Sequence, residues 1–185
     1  LVGGGLGVAP VYPQLRAFKE AGNRTTGIIG FRNKDLVFWE ETFGRYCDNL
    51  IVCTDDGSYG KPGFVTAALQ EVLDHDRPDL VIAIGPLPMM NACVETTRPS
   101  GVKTMVSLNA IMVDGTGMCG SCRVTVGSEI KFACVDGPDF DGHQVDFKEL
   151  ILRQQRFKGE EAAANTDYAH VCNVEKVLFE QHKTN

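Results

Sequence analysis

Between residues 1 and 108, short apolar runs rich in β-branched side chains alternate with longer segments whose apolar positions recur every three or four residues. The runs at 25–29, 50–54, 80–84 and 104–108 lack the strict polar alternation of a half-solvated strand, so each is predicted to be a strand buried on both faces. Helical patterns fall between them, at 10–21, 36–46, 64–74 and 88–97. In the third, Phe64, Val65, Ala68, Leu69, Val72 and Leu73 form one apolar stripe that is expected to face the sheet. This alternation predicts an α/β fold, a Rossmann-like parallel sheet with helices on both faces. After Leu108 the pattern changes. Residues 114–134 are Gly-rich and carry three Cys, 135–142 read as a loop of Pro, Gly and Asp, and helical patterns return at 147–156 and 174–182. A boundary is expected near Asn109, dividing residues 1–108 from 109–185. The polar, Ala-rich stretch 159–165 carries no assigned function, and no internal repeat is visible.

Composition narrows the class. At 185 residues, 43% of them apolar and 23% charged, the chain is one domain or one domain with a small appendage, and can bury a real core. The longest nearly apolar stretch, 80–90, is broken by Gly85, Pro86 and Pro88 and falls short of the ~20 residues a membrane helix needs. A net charge of -6 offers no electrostatic footprint for nucleic acid. Neither a membrane nor a nucleic acid is an expected partner. Seven Cys is an odd number for a closed disulfide framework, and no signal peptide is visible, which points to a reducing cytoplasm. Only Leu1 and Val2 precede a glycine cluster of the kind that follows a whole strand, so further chain is expected upstream.

That cluster runs from Leu1 to Pro10 as LVGGGLGVAP. Glycines at a strand-to-helix handover let the backbone approach a ligand closely, and the helix N-terminus favours an anion such as pyrophosphate. Pro10 suits a first helical turn because its missing donor would be unpaired there. The run departs from G-x-G-x-x-G and lacks the Lys of a P-loop, so a tight turn without a ligand is the competing reading. Three more loops end strands on the same edge: 30–33 with Arg32, 55–60 with Asp56, and 85–90 with Gly85, Pro86 and Met89. Ligands of open parallel sheets sit outside the carboxyl ends of the strands, so the four loops are expected to share one crevice. Arg32 reads as a phosphate partner or as a solvated charge, and Met89 and Met90 taken alone read as core filling. No acidic residue closes the second strand to receive a ribose hydroxyl, while Arg32 and Lys34 suit a 2′-phosphate. No constellation of acid, base and nucleophile is present, so no catalytic residue is assigned.

The sharpest pattern is Asp114-x4-Cys119-x2-Cys122-x11-Cys134. Plant-type 2Fe–2S sites use C-x4-C-x2-C and a later Cys, and here Asp114 holds the first position. A carboxylate carries the same unit charge as a thiolate but is a harder ligand. A tetrahedral zinc on the same four residues is an alternative, and Asp114 could instead cap the loop through backbone N–H groups. A three-residue hairpin loop at 127–129 is expected, pairing Val126 with Ile130, Val124 with Phe132, and Cys122 with Cys134, because a two-residue loop would set Val124 against Lys131 and mix the faces. Cys47, Cys53, Cys93 and Cys172 are expected to be small buried apolar residues, and His75, His143, His170 and His182 show no ligand spacing.

Taken together, Gly3 to Pro10, Gly30-Phe31-Arg32, Thr54 to Gly60 and Gly85 to Met89 resemble the nicotinamide-binding domain of the ferredoxin-reductase family, although Ile84 stands where that family often has a Cys. With the cysteine segment and Cys134-Val-Asp-Gly-Pro138 added, nearly the whole chain resembles the electron-transfer subunits of dihydroorotate dehydrogenases. The Asp-for-Cys replacement brings it nearer the small subunits of NADH-dependent ferredoxin:NADP oxidoreductases, or sulfide dehydrogenase beta subunits. The resemblance implies a nicotinamide domain over 1–108 and a small cluster-binding hairpin subdomain with a helical tail over 109–185. It implies NAD(H) or NADP(H), tilted to NADH, with Gly3 among the cofactor contacts and the pyrophosphate at Gly5 to Pro10, beside Gly7, Val8 and Ala9. The adenosine end would lie near Arg32 and Asp56, and Gly85, Pro86 and Met89 would be further cofactor contacts. It further implies a 2Fe–2S cluster on Asp114, Cys119, Cys122 and Cys134, and FAD on an N-terminal barrel absent from these residues. The implied partners are a larger iron–sulfur flavoprotein or dehydrogenase subunit, and ferredoxin or a similar carrier. The competing class is a non-enzymatic nucleotide-binding module with a structural zinc.

Overall fold

The computed structural model describes residues 1–168. Seven strands form one sheet in the order β4-β3-β2-β1-β5-β6-β9, comprising β1 (Val2–Gly4), β2 (Thr26–Phe31), β3 (Asn49–Thr54), β4 (Lys61–Pro62), β5 (Leu80–Ile84), β6 (Lys103–Ser107) and β9 (Asp139–Asp141). The first six are parallel, and β9 runs antiparallel to β6. Five helices accompany the sheet: α1 (Val8–Glu20), α2 (Glu40–Gly44), α3 (Val65–Asp76), α4 (Leu87–Thr97) and α5 (Phe147–Gln154). A separate hairpin joins β7 (Arg123–Val126) to β8 (Glu129–Phe132).

Only three residues long, β1 lies at the centre of the sheet because its Val2 pairs with Ile28 on one side and Ala83 on the other. Ile29 and Phe31 of β2, Val52 of β3, and Ile82 and Ile84 of β5 share one core with Val8, Val11 and Leu15 of α1 and Phe43 of α2. Alternate residues of the same strands turn to the other face, where α3 and α4 pack together. This is the double-sided burial that the continuous apolar runs predict.

Four expectations are corrected. The helix expected over 36–46 is reduced to a 3₁₀ turn, Lys34–Leu36, and the short α2. Trp39 adopts a left-handed φ of 60° there, and the chain turns so that Phe38 meets Phe31 and Trp39 meets Tyr12, with ring centroids 5.4 and 5.7 Å apart. Phe64 leaves the α3 stripe and is 69% exposed, since it precedes the first helical turn in extended backbone. The loop expected over 135–142 contains β9, because Phe140 is buried opposite Val106 and closes the sheet edge. In the hairpin, Val124 pairs with Lys131 and Val126 with Glu129, so the loop has two residues, Gly127 and Ser128. Gly127 takes φ 62° at the first loop position, which fits a type II′ turn.

The chain falls into two compact units, Leu1–Leu150 and Ile151–Asn185. The described part of the second unit holds the end of α5, a 3₁₀ turn at Gln155–Phe157 and α6 (Lys158–Tyr168), which absorbs the 159–165 stretch. The helix expected over 174–182, His170, Cys172 and His182 lie outside the described residues. Among the described residues, no helix is long and apolar enough to cross a membrane.

Candidate functional site

The carboxyl ends of β1, β2, β3 and β5 open into one crevice of about 730 Å³. Gly4, Gly5 and Leu6 line it after β1, Arg32 after β2, Asp55 after β3, and Pro86, Pro88 and Met89 after β5. The crevice lies where a parallel sheet of this order reverses its winding direction, between β1 and β5. A second cavity of about 310 Å³ at the opposite ends of the strands meets none of the expected site residues.

Of the expected nucleotide contacts, Gly5, Arg32, Pro86 and Met89 line the crevice, and Gly3, Gly7, Val8, Ala9, Pro10, Asp56 and Gly85 do not. The glycines meet different surroundings. A Cβ on Gly7 would lie 2.3 Å from the Ile84 carbonyl oxygen, so this glycine lets α1 approach β5. A Cβ on Gly3 would press on Val8, and one on Gly85 would meet Met89. Gly5 has φ 53° and open space where a Cβ would stand. Val8 is fully buried in the core. The Asp56 carboxylate accepts bonds from the Ser58 hydroxyl (2.6 Å) and, after it, the Ser58 N–H (2.9 Å), which hold it below the usual carboxylate range. Its neighbour Asp55 takes the place in the crevice.

Several wall residues escape the sequence reading. Leu6 is 86% exposed, and it lines the crevice together with the apolar side chains of Phe64, Leu36 and Phe38. Isolated apolar side chains at loop tips have no periodic signal, and Phe64 falls in helical register by coincidence. The loops behind the wall are tied together. Asp56 N–H donates to the Arg32 carbonyl (3.2 Å), Lys34 N–H to the Ser58 hydroxyl (2.8 Å), and the Tyr59 hydroxyl to Glu40 (2.9 Å). Arg32 is therefore presented from a loop braced by its neighbour.

In the cysteine segment Gly115, Gly117 and Gly120 all have left-handed φ, so the chain coils tightly around its own polar groups. One Asp114 oxygen accepts the Thr116 N–H at 2.9 Å and the other the Cys119 N–H at 2.8 Å. The Thr116 bond is the main reason that this carboxyl is held below its ordinary range. Cys119 is exposed, and its sulfur accepts the Ser121 N–H at 3.4 Å. Cys122 is buried and Cys134 half-buried, with their sulfurs 3.2 Å apart. The contact with Cys122, more than burial, pushes the Cys134 thiol up. In the observed register Cys122 faces Ala133, whose N–H donates to the Cys122 carbonyl at 3.1 Å, and Cys134 reaches its partner from the turn beyond β8. Among the described residues, no three His, Cys, Asp or Glu side chains converge on one point. The donors nonetheless suit an iron–sulfur cluster: two adjacent thiols, and a third thiol hydrogen-bonded through its backbone to a carboxylate in the same coiled loop. Cys53 and Cys93 are buried as expected, whereas Cys47 is only half-buried, and burial pushes the Cys93 thiol up to about 12.

Residues 1–95 match the oxidoreductase NAD-binding domain family, and residues 109–146 match the iron–sulfur cluster binding domain of dihydroorotate dehydrogenase B. A dihydroorotate dehydrogenase B (NAD(+)) electron transfer subunit homolog of Thermotoga maritima is 50% identical over 161 residues, 87% of this chain and 57% of that protein. The corresponding electron transfer subunit of Shouchella clausii is 39% identical over 145 residues, 76% of this chain and 54% of that protein. Among solved structures, an NADH-dependent reduced ferredoxin–NADP oxidoreductase is 46% identical with a TM-score of 0.82, covering 91% of this chain and 60% of that one. The chain thus spans little more than half the length of the curated relatives it matches. With the crevice at the carboxyl edge of its parallel sheet and the cysteine loop that follows, the chain belongs to the oxidoreductase NAD-binding domain family and carries a dihydroorotate dehydrogenase B-type iron–sulfur cluster binding domain.

Proposed function

We propose that the chain serves an NAD(P)H-dependent electron-transfer subunit, in which electrons pass between a nicotinamide nucleotide, FAD and a 2Fe–2S cluster and then to a larger partner subunit in the cytoplasm. The supporting observation is that the crevice and the cysteine pair belong to one compact unit: β9, which follows Cys134, is hydrogen-bonded to β6 of the nucleotide sheet. A hydride carries two electrons while a 2Fe–2S centre takes one, so a flavin held outside these residues is needed between them.

The chain's own part is to bind and orient. Gly5 leaves room for the pyrophosphate beside Leu6, Arg32 offers a cation to a phosphate, and Leu6, Phe64 and Met89 keep water from the nucleotide. Cys119, Cys122, Cys134 and Asp114 would hold the cluster, the Asp as a fourth, harder ligand. The printed names of the relatives, electron transfer subunits and a ferredoxin–NADP oxidoreductase, favour a larger dehydrogenase or flavoprotein subunit as partner and ferredoxin or a similar carrier beyond it.

Anaerobic reconstitution with iron and sulfide, followed by metal analysis, visible absorption and NADH calorimetry, tests the reading. Two irons per chain, a visible absorption and saturable NADH binding are expected. A colourless protein that takes up one zinc in place of iron would establish the binding-module alternative.

A further inference from the structure

The spacing Cys119-x-x-Cys122 looks like a redox dithiol pair, yet the structure pairs a different two sulfurs. Cys122 and Cys134 lie 3.2 Å apart at the end of the hairpin, the Cys122 S–H donating to the Cys134 sulfur with no disulfide between them. Two thiolates on one tetrahedral metal with ~2.3 Å bonds would stand ~3.8 Å apart, so this pair is closer than shared ligation requires. Closing it to a disulfide of ~2.05 Å needs a movement of roughly 1 Å. Cys119 is held apart, its backbone N–H on Asp114 and its sulfur on the Ser121 N–H. Asp114 also leaves the segment with three thiols, so one pair closes and one thiol remains.

We propose that, without a cluster, Cys122 and Cys134 form a reversible disulfide that closes the site to iron and leaves Cys119 as a free exposed thiol. The oxidant is a low-molecular-weight disulfide, RSSR. The half-buried Cys134 thiolate attacks one sulfur of RSSR, forming a mixed disulfide and releasing RS⁻. The Cys122 thiolate then attacks the Cys134 sulfur, forming the protein S–S bond, breaking the mixed one and releasing a second RS⁻. Two protein thiols are oxidised, one external disulfide is reduced, and both protons leave on RSH. The site would then load only when the surrounding thiol pool is reducing. That consequence rests on the proposed cluster, whereas the disulfide does not.

The test uses the metal-free 185-residue chain, treated anaerobically with glutathione disulfide, then alkylated and mapped by mass spectrometry. A Cys122–Cys134 link with alkylated Cys119 is expected, and Cys119→Ser should still lose two thiols whereas Cys134→Ser should not. A Cys119–Cys122 link, or alkylation of all three of Cys119, Cys122 and Cys134 in the unmutated chain, overturns the proposal. In a second arm the oxidised chain is offered iron and sulfide before and after dithiothreitol. Uptake only after reduction is expected, and equal uptake by both forms overturns the gating. A reduced chain that takes up no iron would instead count against the cluster itself, whatever the mapping shows.

Discussion

Gly5 and Gly7 stand two residues apart and answer to different constraints. Gly7→Ala would drive a methyl into the Ile84 carbonyl and should lower stability by ~1–3 kcal/mol in urea melts, as overpacking does, because α1 must move off β5. Gly5→Val has space, but at φ 53° it costs about 1–2 kcal/mol of backbone strain and fills the crevice mouth. Calorimetry should therefore show weaker NADH binding for Gly5→Val than for Gly7→Ala once both are measured on folded protein. At Asp114 the two hydrogen bonds make the carboxylate a loop clasp whether or not it also binds iron. Asp114→Ala should leave a labile cluster with a changed EPR spectrum, while Asp114→Cys should retain it at a shifted potential. An unaltered spectrum in Asp114→Ala would assign Asp114 to the clasp alone. Asp48 gives a pH signature. The Lys19 ammonium, and after it the Thr25 N–H, hold its carboxyl down to about 2. A depressed carboxyl contributes stability above its unfolded pKa of ~3.9 and loses it as pH falls toward the folded value. Asp48→Asn should thus melt lower than the parent at pH 7, with the difference shrinking as pH falls through about 2 and gone only below it.

Among the elements, the β7–β8 hairpin and α2 show how neighbours override local pattern. Alternation in 123–133 favours the register that puts Val124 opposite Phe132, yet the strands pair one residue off. The reason lies outside the hairpin. Gly127 N–H donates to the Gln144 carbonyl at 2.7 Å, and Val126 bridges to Val145, so the segment after β9 grips the turn from one side. Val124 is buried while Ile130 remains 62% exposed. Gly127→Ala should cost about 1–2 kcal/mol from its left-handed φ, whereas Ser128→Ala should stay within roughly 0.5 kcal/mol. Chemical denaturation of both variants checks the turn. In α2 the helical periodicity of 36–46 was real, but Phe38 and Trp39 gain more from the aromatic cluster around Tyr12 and Phe31 than from another helical turn.

For the molecule as a whole, the sheet is the common frame: its carboxyl edge makes the crevice, and β9 ties the cysteine segment to its side. The buried hydroxyls of Thr97 and Thr104, 2.6 Å apart, extend that tie to His143 at 3.1 Å from Thr97, joining α4 and β6 to the turn after β9. If flavin is the necessary intermediary, the cluster-loaded chain mixed anaerobically with NADH should keep its visible absorption, and bleaching should begin only when an FAD-binding domain is supplied. Rapid stoichiometric bleaching without flavin would sink that route. The sequence by itself determined the strand–helix alternation, the four loops at one sheet edge and the Asp-Cys-Cys-Cys spacing, because apolar periodicity and glycine placement are written locally. Only the tertiary structure decided which glycine faces the crevice and which faces Ile84, that Phe64 and Leu6 line it, that 139–141 close the sheet, and that the hairpin register sets Cys122 opposite Ala133, with Cys134 reaching it from the turn beyond. Each of these depends on what a distant segment brings alongside, and close packing, unlike periodicity, leaves no mark on the residues next door in the chain.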